Sequence, residues 1–394
     1  MRSMPARAVW AIGFSQLVNW GVLFFAFSVL MVPLQTAFAA PRWLIAGAFS
    51  FGLMISATIS PAVGRLNDRG QGPAVMQAGG FLAAAILIMW VLVPTIWMTY
   101  VAWGALGLCM ASILYEPVFA IVGRAFSDPE ARLRAIATVT VTGGLASTVF
   151  LPGTSYLVTR YGWRGAVAIL AAIIAVSTLV IGRIAFRDVP WSMRTIRDAV
   201  IGGVTSAHET APLHDIARLV LVFAISIALN AAIASNLVAS LIDRGLTPAF
   251  AATVAGAFGI MQLPGRVLLS NARVSPHPIP LLIASFAAQI AGLLALMIHG
   301  PIAMWAGVIM FAAGTGLTTL GRPYMVLHRY GPLRAGFANG VIARGQQIAR
   351  AIGPVSAAAL AGVTGYGVVF ALLAGLALLA IILLACAPRA AHNE

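Results

Sequence analysis

Apolar runs of roughly 20 residues recur from one end of this 394-residue chain to the other, parted by short turns rich in glycine, proline and arginine. That is the length an α-helix needs to cross a hydrocarbon core of ~30 Å. In lipid every backbone polar group has to be satisfied internally, which restricts spanning structures to helices and closed barrels. Composition removes the soluble alternative. The chain is 61% hydrophobic and 9% charged, whereas a soluble domain carries about 25% charged residues. The fold class that follows is an all-α membrane protein.

The runs predict twelve transmembrane helices, at about 8–33, 43–63, 74–93, 97–122, 135–158, a sixth ending near Phe186, then 218–242, 248–269, 280–298, 302–326, 336–363 and 368–386. The longest polar stretch, 187–215, reads as a linker between an amino-terminal six-helix bundle at 1–186 and a second at 216–394. An even count puts both ends on one side. On that side fall Arg2, Arg7, Arg65, Arg69, Arg124, Arg134, Arg187, Arg329, Arg389 and others, against Arg42, Arg160, Arg164 and Arg244 opposite. Cytoplasmic loops collect basic residues. The expected placement is therefore a bacterial inner membrane, with both termini and the linker in the cytoplasm.

The net charge of +14 comes from arginine alone, for the chain contains no lysine. The arginines are scattered through inter-helix turns without forming a basic stripe, so nucleic acid is not an expected partner. Cys109 and Cys386 both lie in apolar runs and imply no disulfide framework. The first apolar run outlasts a signal-peptide core and reads as a retained helix.

A glycine and arginine loop, Gly64-Arg65-Leu66-Asn67-Asp68-Arg69-Gly70, separates the second and third runs, and a weaker copy, Gly265 to Arg273, returns about 200 residues later. Gly123-Arg124 pairs with Gly321-Arg322, Pro152 with Pro354, and Tyr161-Gly162 with Tyr366-Gly367, all at similar offsets and in the same order. Two pseudo-symmetric six-helix halves joined by a linker, with a site between them near the midplane, form a transporter architecture.

In Gly64, Leu66, Asp68, Arg69 and Gly70 the loop resembles the signature between helices two and three of the major facilitator superfamily, although Gln71, Gly72 and Pro73 stand where further basic residues are usual. The resemblance implies a secondary carrier working by alternating access. It also implies that Gly64, Asp68, Arg69 and Gly70 form a conformational latch, with Asp68 near the start of span eleven. A second resemblance, to the monocarboxylate-porter branch, rests on Asn19-Trp20-Gly21, on Arg132, Arg134 and Gly143-Gly144, and on Tyr161 to Gly165. Span eight carries Gln262 and Arg266 where that branch places an acid and an arginine within the helix.

Charge within lipid is costly, about 2.5–3.5 kcal/mol for an arginine or aspartate at a helix centre on insertion scales. Intramembrane charges are therefore the first functional candidates. Glu116 lies eight residues from Arg124, roughly 12 Å inside the membrane boundary. Arg344 sits at a similar depth in span eleven, and Arg350 lies about 21 Å in, near the midplane. Asn339, Gln346, Arg350 and Gly353 share one helix stripe.

Arg350 is expected to hold an anionic group of the substrate. Glu116 is expected to pair with Arg344 or Arg350 and to couple protons, since burial raises a carboxylate pKa and a neighbouring arginine lowers it. Gln16, Asn19, Trp20, Tyr115, Asn230 and Gln346 complete the candidate substrate-binding set, with Thr315 and Thr319 bonding their own helix.

No histidine pair, Cys-x-x-Cys or phosphate-cradling Gly-Lys-Ser loop occurs, so neither an enzyme, a cofactor nor direct ATP use is expected. The expected function is secondary transport of a small organic solute, an anion such as a monocarboxylate, with protons as a coupling partner and a monomer as the working unit. The alternative on the same fold is an efflux carrier for a drug, metalloid or other toxic compound. A channel is the third class.

Overall fold

The structure, a computed structural model, describes residues 4–92, 95–126, 129–186, 213–263 and 278–386. Within these, the side chains of Asp68, Glu116, Thr319 and residues 331–340 are not among those described. The second loop copy with Arg266, and 187–212 of the expected linker, also lie outside the described residues.

All regular elements among the described residues are helical. In chain order they are α1 (Ala6–Trp20), a π-helical segment (Gly21–Phe25), α2 (Ala26–Phe38), α3 (Arg42–Asp68), α4 (Gly72–Val91), α5 (Ile96–Ile113), α6 (Tyr115–Ala125), α7 (Pro129–Gly144) and α8 (Ala146–Ile181). A second π-helical segment (Gly182–Phe186) follows, then α9 (Leu213–Ile242), α10 (Pro248–Met261), α11 (Pro278–Ala295), α12 (Pro301–Thr364) and α13 (Tyr366–Ala385). Among the described residues, nine helical stretches are long and apolar enough to cross a membrane.

Two compact units emerge. One takes in Met1–Val204 and Ser235–Gly256, the other Thr205–Ala234 and Ala257–Glu394. In the first unit, α1 and α2 continue through the π segment as one apolar stretch, Ala6–Phe38. The widened turn falls where a Cβ on Gly21 would lie 2.2 Å from the ring of Phe150 on α8. The helix was expected to stop near Pro33. It runs on to Phe38 with the proline inside it, as membrane helices tolerate when neighbours re-satisfy the freed backbone groups.

The core beneath is aromatic. Phe27 stacks on Phe49 at 4.7 Å, and Trp103 meets both edge-on. Trp90 joins Trp103 at 5.6 Å and donates its indole N–H to Thr99 at 3.1 Å, so its buried polar atom is matched. Gly79 and Gly80 let α4 press closely on its neighbours. A Cβ on Gly80 would come within 2.2 Å of Thr178 Oγ1.

The Gly64 to Gly70 loop is mostly helix. α3 runs through Asp68, and only Gly70 takes a left-handed φ, of 80°. The Gly70 amide donates to Asn67 O at 2.9 Å and the Gln71 amide to Leu66 O at 3.0 Å. These two bonds constitute a Schellman cap, which satisfies carbonyls that the helix end would leave bare. The same tripeptide, Asp243-Arg244-Gly245, closes α9 in the same way. Gly245 has φ 88°, its amide reaches Ile242 O at 2.8 Å, and the Leu246 amide reaches Leu241 O at 3.3 Å.

Residues 134–186 form a nearly continuous apolar helical stretch of 53 residues, about 80 Å at 1.5 Å per residue. It turns at Gly162, with φ 70° and ψ 172°. Gly365, between α12 and α13 of the second unit, has nearly the same dihedrals, φ 79° and ψ 166°. This region of backbone space is open essentially only to glycine. The structural repeat therefore pairs Gly162 with Gly365, and the buried aromatics that follow, Trp163 with Tyr366. The matching Tyr-Gly letters at 161–162 and 366–367 are two residues out of register, because the turn is fixed by the glycine needing positive φ and by the aromatic it sends inward.

In the second unit α11 and α12 lie close, with Ser285 Oγ donating to Gly314 O at 2.8 Å. α12 is helical over 64 residues, including 328–334, where a loop was expected. No described break parts the two runs. At one end of this unit, Asp215 receives Arg329 at 2.7 Å and is also paired with Arg218, which donates to the carbonyl of Cys386 at 3.1 Å.

Candidate functional site

A buried polar cluster in the first unit begins with a proline. Pro117 has no N–H, so the carbonyl four residues before it, Ile113 O, has no intrahelical partner. The chain breaks there. Leu114 is extended, with φ −81° and ψ −164°, and separates α5 from α6, where the sequence suggested one unbroken span at 97–122. Two amides from α1 take over the orphaned carbonyl: Gln16 Nε2 donates to it at 2.7 Å and Asn19 Nδ2 at 3.1 Å. Both side chains are buried, and Asn19 also reaches Ser15 Oγ at 3.3 Å. Gln16 Oε1 meets no described donor.

Trp20, one residue beyond Asn19, lies 5.0 Å from the Tyr115 ring. Tyr115 stacks on Phe119 at 5.2 Å and directs its hydroxyl to Thr140 O at 3.4 Å. α7 comes this close because Gly143 carries no side chain. A Cβ there would sit 2.4 Å from the Tyr115 hydroxyl and 3.2 Å from Gln16 Cβ. The sequence-predicted residues Gln16, Asn19, Trp20 and Tyr115 are thus brought together, with the amide N–H groups engaged by the break in the α5–α6 span. The side chain of Glu116, in the same break, lies outside the described residues.

The predicted carboxyl-terminal set gathers in the second unit. Gln346 Nε2 donates to Phe223 O of α9 at 3.3 Å, while its Oε1 accepts from Arg322, earlier on α12. Seven residues on, a Cβ at Gly353 would lie 2.9 Å from Ala228 O of the same α9. The stripe holding Gln346, Arg350 and Gly353 therefore faces α9. Arg350 is half-buried on it, whereas Arg344 is exposed. Asn230 is half-buried on α9, one turn beyond Ser226. The side chain of Asn339 lies outside the described residues. The sequence reading missed Arg322 as a site residue, although the Gly321-Arg322 repeat had marked it.

Of the predicted latch residues, Gly64 is helical with open space beside it, Arg69 is exposed in the cap position, and Gly70 makes the turn. The side chain of Asp68 lies outside the described residues. A charged tie that the sequence did not reveal sits at the other Asp-Arg-Gly cap. Arg42, at the start of α3, donates to both carboxylate oxygens of Asp243, at 2.6 and 3.0 Å, and to Gln35 at 3.3 Å. Thr148 Oγ1, donating to Gly256 O at 2.8 Å, adds a second bond from α8 to α10 within the first unit.

Comparisons with known proteins agree with this architecture. The chain is 28% identical over 257 residues to Monocarboxylate transporter 13 from Bos taurus, which covers 64% of this chain and 58% of that protein. It is 27% identical over 161 residues to Monocarboxylate transporter 13 from Rattus norvegicus, covering 41% and 37%. The alignments thus span less than two thirds of those relatives' lengths.

Among solved structures, the nucleoside transporter NupG superposes with a TM-score of 0.71 at 14% identity, covering 96% of this chain and 98% of that one. The human organic anion transporter MFSD10 gives 0.68 at 18% identity over 96% and 99%. The peptide transporter POT gives 0.71 at 13% identity over 97% and 94%. At these identities the likeness shows the fold. The sequence model described as Major Facilitator Superfamily matches residues 9–270. With two thirds of its length matched and its fold shared, the chain belongs to the Major Facilitator Superfamily and is a membrane transporter rather than an enzyme.

Proposed function

We propose that the protein is a secondary carrier of a small organic anion, a monocarboxylate being the first candidate, with Arg350 as the anion anchor. The observation that carries this reading is the placement of Arg350. It is a half-buried guanidinium on a helix face turned toward α9, between Gln346 and Gly353. A charge kept within the membrane part of a transporter defaults to a functional role, because lipid would otherwise exclude it, and arginine matches a carboxylate with two parallel hydrogen bonds. The similarity to Monocarboxylate transporter 13 supports the same cargo class.

In this reading the chain crosses the membrane twelve times. Two helical stretches, of 53 and 64 residues, are too long for one crossing each, and α10 adds a short apolar one. The halves are 1–186 and 216–394 with the linker 187–215 between them, and both termini are cytoplasmic in an inner membrane. The unit is a monomer working by alternating access. Glu116 titrates as the coupling carboxylate, and Gly64, Asp68, Arg69 and Gly70 act as the latch.

Uptake of labelled lactate, pyruvate and uncharged analogues into proteoliposomes, with and without a pH gradient, tests the proposal. Saturable, gradient-stimulated monocarboxylate uptake is expected, abolished in Arg350→Ala and uncoupled from pH in Glu116→Gln. Full uptake by Arg350→Ala would overturn the anchor. Transport of only uncharged or cationic solutes would overturn the cargo.

A further inference from the structure

Arg7, Ala11 and Phe14 follow one another on α1 at spacings of four and three residues, which aligns them on one face. Val180 near the end of α8, with Arg183 and Ile184 in the π segment after it, stands opposite. The two faces border a groove of about 500 Å³ with Ser177 also in its lining. α1 starts where α8 ends, so the chain delivers two guanidiniums, 176 residues apart in sequence, to the same end of one groove. From Arg7 to Phe14 the groove extends about 10 Å along the α1 axis.

Its apolar wall is uncovered. Phe14 is 56% exposed, Val180 40% and Ile184 41%. In a membrane-embedded transporter such a surface meets lipid. Among the described residues that line it, none is acidic.

We propose that this groove is a binding site for an anionic phospholipid of the leaflet on the amino-terminal side. The phosphate lies between Arg7 and Arg183, and one acyl chain runs along Ala11, Phe14, Val180 and Ile184. Selection comes from the headgroup. An acyl chain entering the groove exchanges one hydrocarbon surrounding for another, whereas each arginine near an anionic membrane surface contributes roughly a fivefold preference. Guanidinium pairs phosphate through two hydrogen bonds at once, which a quaternary ammonium headgroup beside that phosphate weakens by charge compensation. The site concerns a lipid on the outside of the helices and is independent of which solute the carrier moves.

Native mass spectrometry of the purified full-length protein, titrated with phosphatidylglycerol, phosphatidylcholine or inorganic phosphate, tests it. Phosphatidylglycerol is expected to be retained over phosphatidylcholine. The R7Q/R183Q variant should lower phosphatidylglycerol affinity about 25-fold, as two fivefold steps give, and leave phosphatidylcholine unchanged. Arg160→Gln, an exposed arginine elsewhere, should have no effect. Ala11→Trp, which fills the apolar slot and keeps both arginines, should also lose the lipid. Unchanged phosphatidylglycerol binding in R7Q/R183Q or in Ala11→Trp would overturn the site. So would equal retention of the two lipids by the wild type, or displacement of the lipid by inorganic phosphate at matched concentration.

Discussion

Replacing Gln16 and Asn19 together with leucine strips both donors from Ile113 O, and Pro117 denies that carbonyl a helical replacement. The two bonds, at 2.7 and 3.1 Å, converge on one acceptor. Either single change therefore leaves one donor in place and should cost about 0.6 kcal/mol, the mean for interhelical bonds in membrane proteins. The Gln16 change should sit at the low end, because its unmatched Oε1 is removed with it. The double change leaves a buried carbonyl bare, at about 1–3 kcal/mol.

Pro117→Ala returns an N–H at the position four residues after Ile113. In that background the same double change should cost about 1–2 kcal/mol less, since the helix can satisfy its own carbonyl. Unfolding of the four proteins in mixed micelles with increasing SDS, followed by tryptophan fluorescence, gives the cycle. A double-variant cost that is the same in both backgrounds, within about 0.5 kcal/mol, would refute the assignment of these amides to the broken helix.

Gly162→Ala and Gly365→Ala should each destabilise by about 1–3 kcal/mol in the same assay, because their dihedrals are open only to glycine, while Gly153→Ala, helical with open space around it, should be neutral or mildly stabilising. Arg42→Asp should cost at most about 1 kcal/mol, Asp243 being 44% exposed, and the charge-swapped pair R42D/D243R should recover most of it. Asp215→Asn should cost about 3 kcal/mol or more, since it leaves two largely buried arginines without their shared carboxylate; a loss no larger than that of Arg42→Asp would show that the cluster is solvated.

The apolar runs and the repeat were legible because they depend on length, hydropathy and residue type within a single span. Gln16 and Asn19 were visible as unusual residues in an apolar run, yet their relation to Pro117 was not. It joins residues almost 100 positions apart through a carbonyl that carries no letter in the sequence. The Asp-Arg-Gly signature was over-read as a loop. Its local geometry is that of a helix cap, and the second copy at 243–245 shows that three residues suffice to encode it. Arg42 and Asp243 each stand at an end of an apolar run, Arg42 at the start of α3 and Asp243 just past α9. Their pairing depends on which turns the packing brings together, which no local pattern records. The stripe that Arg350 shares with Gln346 and Gly353 was legible from their spacing, and its contacts with α9 needed the packing of the two helices.

The Asp215 cluster also sets a schedule. Its carboxylate is made early, at the head of α9, and has Arg218 three residues behind it as an immediate companion. Arg329, its other partner, lies 114 residues later, and the Cys386 carbonyl that holds Arg218 comes 168 residues after that arginine. At roughly 5–20 residues per second of synthesis, the acid waits ~6–23 s before Arg329, 114 residues later, is available. During that interval Arg218 is the partner of Asp215 already present in the chain. Losing it should hurt the yield of correctly inserted protein during translation more than it hurts the stability of protein already made.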